Sequence, residues 1–177
     1  MGIAQIPGQD FTCTSTPITQ WESICSLLSI VATHDYFLHQ LDIKSTYLNG
    51  LLKKEIYMKA PDDFPYSSRF WLLHKGLYGL QQAGCQWYLT LHRAYTELEF
   101  SWCSSDWSVY TQCSSSTFSM SVTSVDDIII ASDSQIEFNL CARQMDEKFL
   151  TTNCSDAEWI LGCCITCCWS KRLLMID

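Results

Sequence analysis

Two aspartates stand side by side at Asp126 and Asp127, inside the stretch SVTSVDDIIIAS of residues 121–132. Adjacent carboxylates repel, and burial beside an apolar strand makes each charge more expensive. A polar–apolar alternation leads into the pair, and the apolar run Ile128-Ile129-Ile130 leads out of it. The two acids are therefore expected at the tip of a β-hairpin. A straight strand would send neighbouring side chains to opposite faces, whereas a turn lets both aim at one place. A divalent cation between them would relieve the repulsion. Oxygen-only donors suit magnesium, and two such ions stabilise the attacking and leaving oxygens of a phosphoryl transfer. A further acid must then come from another strand end, and Asp42, after the apolar segment of LHQLDIKS, supplies one. The alternative is a solvated turn, where aspartate is common in its own right.

The elements that must carry these acids are legible from periodicity. PITQWESICSLLSIVATH, residues 17–34, sets Trp21, Ile24, Leu28 and Val31 at helical spacing. Thr19 with Glu22 forms a capping-box pattern at its start. YFLHQLDIK reads as a short buried strand ending on a charged tip, which is where Asp42 sits. Asn49-Gly50 suggests a turn into a strand around 55–58, and APDDFP a loop bounded by Pro61 and Pro65. A second helix is expected over about residues 82–98, with Trp87, Leu91, Ala94 and Leu98 on one face. STFSMSVT alternates Phe118, Met120 and Val122 with polar residues, the pattern of a half-buried strand, and the run after Asp127 is its return strand. Ser134 and Glu137 make a second capping pattern before a helix carrying Ile136, Leu140, Met145 and Phe149. EWILGCCIT and RLLMI read as a closing pair of strands. Helices and strands mix without strict alternation, so the expected class is α+β, an antiparallel sheet packed on helices.

At 177 residues, with 47% hydrophobic and 13% aromatic residues, the chain suits one domain with a real core. No apolar run reaches the roughly 18 residues of a membrane span. MGIAQIPGQD has no basic or apolar leader pattern, so a soluble intracellular chain without a membrane partner is expected. A net charge of −8 and only four arginines (Arg69, Arg93, Arg143, Arg172) sit awkwardly with phosphate binding. The eleven cysteines, an odd number without a leader, do not read as a disulfide scaffold. CCITCC, Cys163 to Cys168, places two Cys pairs within six residues, too close to wrap one tetrahedral ion easily. A thiol-rich metal or redox module there is weighed against ordinary buried or reactive thiols.

Three ordered segments, HQLDIKSTYLNGLLKKEIYMKAPDDF, LLHKGLYGLQQAGCQWY and SVDDIIIAS, resemble the reverse transcriptase of Ty1/copia-type LTR retrotransposons. IPGQDF near the start and WILG near the end extend the resemblance over nearly the whole chain. It implies that residues 1–177 form a reverse-transcriptase domain, a palm with part of a fingers subdomain, performing RNA-directed DNA synthesis. A primer 3′-hydroxyl would attack the α-phosphate of a dNTP, and pyrophosphate would leave. Asp42 matches the family's first catalytic aspartate, and Asp126 and Asp127 its Val-Asp-Asp pair. Asp42 and Asp126 would then ligate two magnesium ions while Asp127 completes the acidic site. Tyr47 falls where the family sets an aromatic against the incoming sugar, a ring that disfavours a 2′-hydroxyl. Tyr78, Gly79 and Gln81, in GLYGLQQAG, match the segment that approaches template and nucleotide, and glycine permits close backbone approach. A core aromatic, or a simple turn into the next helix, is the alternative for each. Trp87 and Tyr88 read as helix packing. The implied partners are an RNA template–DNA primer duplex and dNTPs, and the implied location is cytoplasmic, in a virus-like particle, or nuclear.

The departures from the family run in one direction. Cys25 stands where a helix usually offers Arg, and Gln81-Gln82-Ala83-Gly84-Cys85 replaces a Lys-Gln-Ala-Pro-Arg run. Ser124 takes the place of the usual Tyr before Val-Asp-Asp. Neutral groups do not replace charge-assisted contacts to phosphate. Cytosine-to-thymine decay of Arg codons yields Cys, Trp or Gln, in line with the many Cys and Trp and few Arg of this chain. The expectation is a mutating relic of a mobile element, either a residual polymerase or a fold without activity. The match begins inside the family domain, so early fingers strands, a thumb, and the RNase H and integrase regions of a parent polyprotein are expected outside residues 1–177.

Overall fold

The computed structural model describes residues 2–61, 63–64, 69–114, 116–157, 159–160, 163–168 and 173–176. In chain order the longer elements are α1 (Trp21–His34), β1 (Phe37–Ile43), β2 (Leu51–Lys59), β3 (Phe70–Lys75), α2 (Ala83–Glu97), β4 (Ser101–Trp102) and β5 (Val109–Cys113). They continue with β6 (Phe118–Ser124), β7 (Asp127–Ser132), α3 (Gln135–Lys148), β8 (Thr151–Asp156), β9 (Trp159–Ile160), β10 (Cys163–Cys168) and β11 (Leu173–Ile176). All the strand pairings given by register are antiparallel. The class is α+β, as expected. The chain divides into two compact units, residues 1–16 with 45–92 and residues 17–44 with 93–177.

The first unit is built on the β2–β3 hairpin, which pairs Tyr57 with Leu72 and Lys59 with Phe70. The sequence reading placed a strand near 55–58 but did not anticipate β3. The turn expected at Asn49-Gly50 is present as the end of a 3-10 turn over Thr46–Asn49, which delivers the chain to β2. Gly50 is required there, because a Cβ would lie 2.9 Å from the backbone nitrogen of Trp87. Trp87 and Leu91, on the face of α2 expected to be apolar, are buried, and so are Ala94 and Leu98 beyond the unit boundary.

The second unit holds a six-stranded sheet in the order β4-β5-β6-β7-β1-β8. Alternation assigns its two faces. Leu38, Val109, Met120, Val122, Ile129 and Ala131 pack on Ile24, Leu27, Leu28 and Val31 of α1. Each such side chain removed from water contributes roughly 1.5–3 kcal/mol, so this face is a major source of the unit's stability. On the other face Leu41, Ile43, Ile128 and Ile130 are buried with Tyr95, Tyr110 and Phe138. β7 is thus covered on both sides, which is why it reads as an unbroken apolar run.

β6 is likewise buried on both faces, from Ser119 through Thr123, and is not the half-buried strand its alternation predicted. Its polar residues are inside because each finds a partner. Ser121 Oγ lies 2.6 Å from the Tyr95 hydroxyl, Ser119 Oγ donates to Ser132 Oγ at 2.9 Å, and Thr123 Oγ1 donates to the Ser108 carbonyl at 3.2 Å. Hydrogen-bonded hydroxyls are tolerated where bare ones are not.

Three further local expectations are corrected. Trp21, counted on the inner face of α1, is 42% exposed, and Thr19 does not cap the helix. The Thr19 hydroxyl instead donates to the Thr123 carbonyl. In α3 the Ser134 cap is present, its Oγ accepting from the Glu137 N–H at 3.3 Å. The buried stripe, however, is Phe138, Cys141 and Met145, while Ile136 and Leu140 face outward. Finally, EWILGCCIT is two antiparallel strands, β9 and β10, with Ile160 opposite Cys163, and β11 completes a three-stranded sheet.

The N-terminus of α1 is capped from far away in sequence. Asp106 Oδ2 accepts from the Gln20 N–H at 3.1 Å and the Ser23 hydroxyl at 2.6 Å. Its Oδ1 accepts from the Ser108 N–H and hydroxyl at 2.9 and 2.6 Å. Burial alone would raise its pKa, but the bonds from Ser108, Ser23 and the backbone outweigh it and hold the carboxyl below the ordinary range. Because the folded pKa is depressed, this stabilisation is present above about pH 4 and is lost as pH falls through the folded value. Asp106→Ala is expected to cost about 2 kcal/mol in urea unfolding at neutral pH, since buried donors lose their acceptor. Wild type should lose more stability than Asp106→Asn between pH 5 and pH 3.

Candidate active site

β1 delivers Gln40 and Asp42 to the same face of the sheet, two residues apart. The register sets Asp42 directly opposite Asp127, the first residue of β7. On its other side Asp127 pairs with Ser124, so Val125 and Asp126 form a two-residue hairpin loop. Val125 adopts φ +52°, a left-handed conformation that a β-branched side chain resists and that Gly or Asn would normally supply. The Asp126 carbonyl accepts from the Ile43 N–H at 3.0 Å, tying the loop to the residue after Asp42. Asp42, Asp126 and Asp127 are therefore carried together by the ends of two neighbouring strands, all within the second unit.

The electrostatics follow from this backbone arrangement. Asp127 is half-buried, and its Oδ1 accepts from Gln40 Nε2 at 2.9 Å. Burial raises its pKa; the Gln40 bond opposes this, and the charges of Asp126 and Asp42 raise it further, leaving it above the ordinary carboxylate range. Asp126 is exposed and Asp42 half-buried. Among the described residues, no three His, Cys, Asp or Glu side chains are arranged to hold an ion as they stand. Three carboxylates are the right donor chemistry for a hard dication, and the charges of Asp126 and Asp42 add to the cost of ionising Asp127. Gln40 was missed in the sequence. Its signal was the spacing of two from Asp42 on one strand.

The remaining candidates lie in the first unit. The rings of Tyr47 and Tyr78 meet at 4.7 Å with a 59° tilt, Tyr47 half-buried and Tyr78 exposed. Gly79 has φ +92°, and a Cβ there would meet nothing within 4 Å, so the backbone conformation and not crowding calls for glycine. Gln81 is exposed, and its N–H donates to Gln5 Oε1 at 2.9 Å. Cys85, where the resemblance expected an Arg, is only 3% exposed. In CCITCC, Cys163 and Cys164 are half-buried, and the side chains of Cys167 and Cys168 lie outside those described.

The model of a family described as "Reverse transcriptase (RNA-dependent DNA polymerase)" matches residues 1–169. The chain belongs to the reverse transcriptase family. It is 31% identical over 165 residues to the "Retrovirus-related Pol polyprotein from transposon TNT 1-94" of Nicotiana tabacum, covering 91% of this chain and 12% of that relative. The polyproteins from transposons RE2 and RE1 of Arabidopsis thaliana are each 27% identical over 164 residues, covering 91% of this chain and 11% of each relative. The relatives are Pol polyproteins of Ty1/copia-type transposons, and this reverse transcriptase chain spans about an eighth of their length or less. Among the described residues no helix is long and apolar enough to cross a membrane.

A raised carboxyl pKa has a defined consequence for stability. Asp127 binds its proton more tightly folded than unfolded, so its contribution is most favourable at low pH and is lost as pH rises through the folded value. Asp127→Asn keeps the oxygen that Gln40 approaches and removes the charge. In metal-free buffer at pH 7 it is expected to raise Tm by about 1–3 °C, a modest figure because the group is partly exposed. The difference from wild type should vanish near pH 3, as read by calorimetry.

Proposed function

We propose that the second unit is the palm of an RNA-directed DNA polymerase, with Asp42, Asp126 and Asp127 as its acidic centre and part of the fingers in the first unit. The observation that carries this reading is the cross-strand pair Asp42–Asp127, with Asp126 bonded through its carbonyl to the residue after Asp42. Asp127, whose ionisation is made costlier by burial and by the charges of Asp126 and Asp42, works against the stability of the fold, as a group kept for chemistry does. Asp42 and Asp126 would hold two magnesium ions. When bound, such ions neutralise phosphate charge and favour attack of a primer 3′-hydroxyl on the α-phosphate of a dNTP.

The chain's own groups set the stage for that chemistry. Gln40 fixes the orientation of Asp127 by its amide bond, so Asp127 completes the acidic wall without swinging. Asp126, exposed on the loop, is the carboxylate with room to turn toward Asp42. The Tyr47–Tyr78 pair offers a rigid aromatic surface for a sugar, and Gly79 leaves the adjoining backbone open to a nucleotide or template. The substrates on this reading are dNTPs and a primer annealed to an RNA template, and the chain works as part of a larger polyprotein.

A second reading, a relic with this fold and no polymerase activity, is favoured by the neutral residues at 25, 81 and 85, where the resemblance expects cations. Primer extension on an RNA template with magnesium separates the two. The polymerase reading expects extension by wild type and a loss of about 100-fold or more in Asp126→Asn. Wild type that neither extends nor binds the primer–template duplex leaves the relic. The cations missing at 81 and 85 are not equivalent to restore. Gln81 is exposed, so Gln81→Lys adds a charge in water, whereas Cys85→Arg must place one in a buried position. Gln81→Lys is expected to tighten duplex binding several-fold at low salt and less at high salt, by fluorescence anisotropy.

A further inference from the structure

The segment from Gln5 to Thr16 lies against the start of α2 and against β2, all within the first unit. Gln5 Nε2 donates to Gln82 Oε1 at 2.9 Å. Lys54 Nζ donates to the carbonyls of Gly8 and Gln9 at 3.0 and 2.8 Å. Further along, Thr16 crosses so close to Gly84 that a Cβ there would lie 2.6 Å from the threonine hydroxyl. Between these fastenings Cys13 lines one small cavity with Gln82 and Gln86, which flank Cys85 along the chain, and the two thiols lie close enough to act on one another electrostatically. Cys13 is exposed, beside a cavity of about 120 Å³ lined in part by Lys53 and Gln86, and Cys85 is buried in the first turn of α2.

We propose that Cys13 and Cys85 are a redox pair, joined by a small-molecule disulfide such as glutathione disulfide into a reversible clasp that fixes the segment to α2. The exposed thiol reacts first. Cys13 as thiolate attacks one sulfur of glutathione disulfide, forming a mixed disulfide and releasing one glutathione. Cys85 then loses its proton and attacks the Cys13 sulfur, forming the Cys13–Cys85 bond and expelling the second glutathione. Two protein thiols are oxidised by two electrons, and one glutathione disulfide is reduced to two thiols.

The surroundings set the rate of the second step. Burial, and then the hydrogen bond and charge of Cys13, push the Cys85 thiol up to about 11, while Lys53 acts in the opposite direction. Once Cys13 carries glutathione its own influence on Cys85 is gone, but burial, the largest cause, still holds the Cys85 thiol up, so the thiolate needed for closure is scarce at neutral pH and the mixed disulfide resolves faster as pH rises. Cys103 is a competitor, because backbone hydrogen bonds at Ser105 and Asp106 lower its pKa. The clasp is independent of what the neighbouring Gly79–Gln82 segment binds, so it stands or falls apart from the polymerase reading.

The test treats the reduced full chain with glutathione disulfide at pH 7 and pH 9, followed by alkylation, non-reducing digestion and mass spectrometry. A Cys13–Cys85 cross-linked peptide should be the main intramolecular product, and it should close about tenfold or more faster at pH 9. Oxidised wild type should melt about 5–10 °C higher than reduced, reversibly with dithiothreitol. Cys13→Ser, an exposed substitution, should melt like reduced wild type and show no rise. Glutathione persisting on Cys13 at pH 9, modification of Cys103 alone, Cys85 linked to another cysteine, or an equal rise in Cys13→Ser would each overturn the proposal.

Discussion

A slip of one residue in the pairing of β1 with β7 would turn Leu38 out of the α1 core and put Asp42 on the opposite face. That register is the constraint on which the site depends. Leu38 opposite Ala131 and Leu41 opposite Ile128 are buried on different faces, so the apolar effect locks the pairing from both sides. The acids at the strand ends have no choice in the matter. Their repulsion is small against the burial of the strands that carry them, and so the fold can hold Asp42 against Asp127 without a cation present.

The same double burial explains the polar interior of the second unit. Once helices cover both faces, the hydroxyls of Ser119, Ser121 and Thr123 in β6 are shut off from water, and they are satisfied by Ser132, Tyr95 and the Ser108 carbonyl in turn. Among the described residues no buried side-chain nitrogen or oxygen lacks a partner. Tyr95 stacks on Tyr110 with ring centroids 4.0 Å apart, so one side chain supplies both apolar area and the hydrogen bond that Ser121 needs. Asp106 does the equivalent for α1, where a local cap is missing and a carboxylate from the β4–β5 connection takes the role.

Membership of the reverse transcriptase family gives this geometry its context. The chain's net charge of −8 is shared between two kinds of carboxylate. Three of its carboxylates are gathered at one sheet end, while Asp106 and Asp146 serve the fold by accepting hydrogen bonds.

The sequence by itself determined what short-range patterns can determine. Its three ordered motifs identified the family, the Ser134 cap marked the start of α3, and the apolar face of α2 and the hairpin at Asp126-Asp127 were legible from spacing. These are local events, set by side chains a few residues apart. Which alternation faces water was decided only by tertiary structure. STFSMSVT looks half-buried until Tyr95 arrives from α2 to cover its serines, and Ile136 and Leu140 look like core until Phe138 and Met145 claim the packed face. The cap of α1 by Asp106 and the contact of Cys13 with Cys85 join residues tens of positions apart, and no window along the chain contains them. Asp42 and Asp127 are of this last kind: the sequence supplied the acids, and the burial of the strands that carry them set Asp42 opposite Asp127.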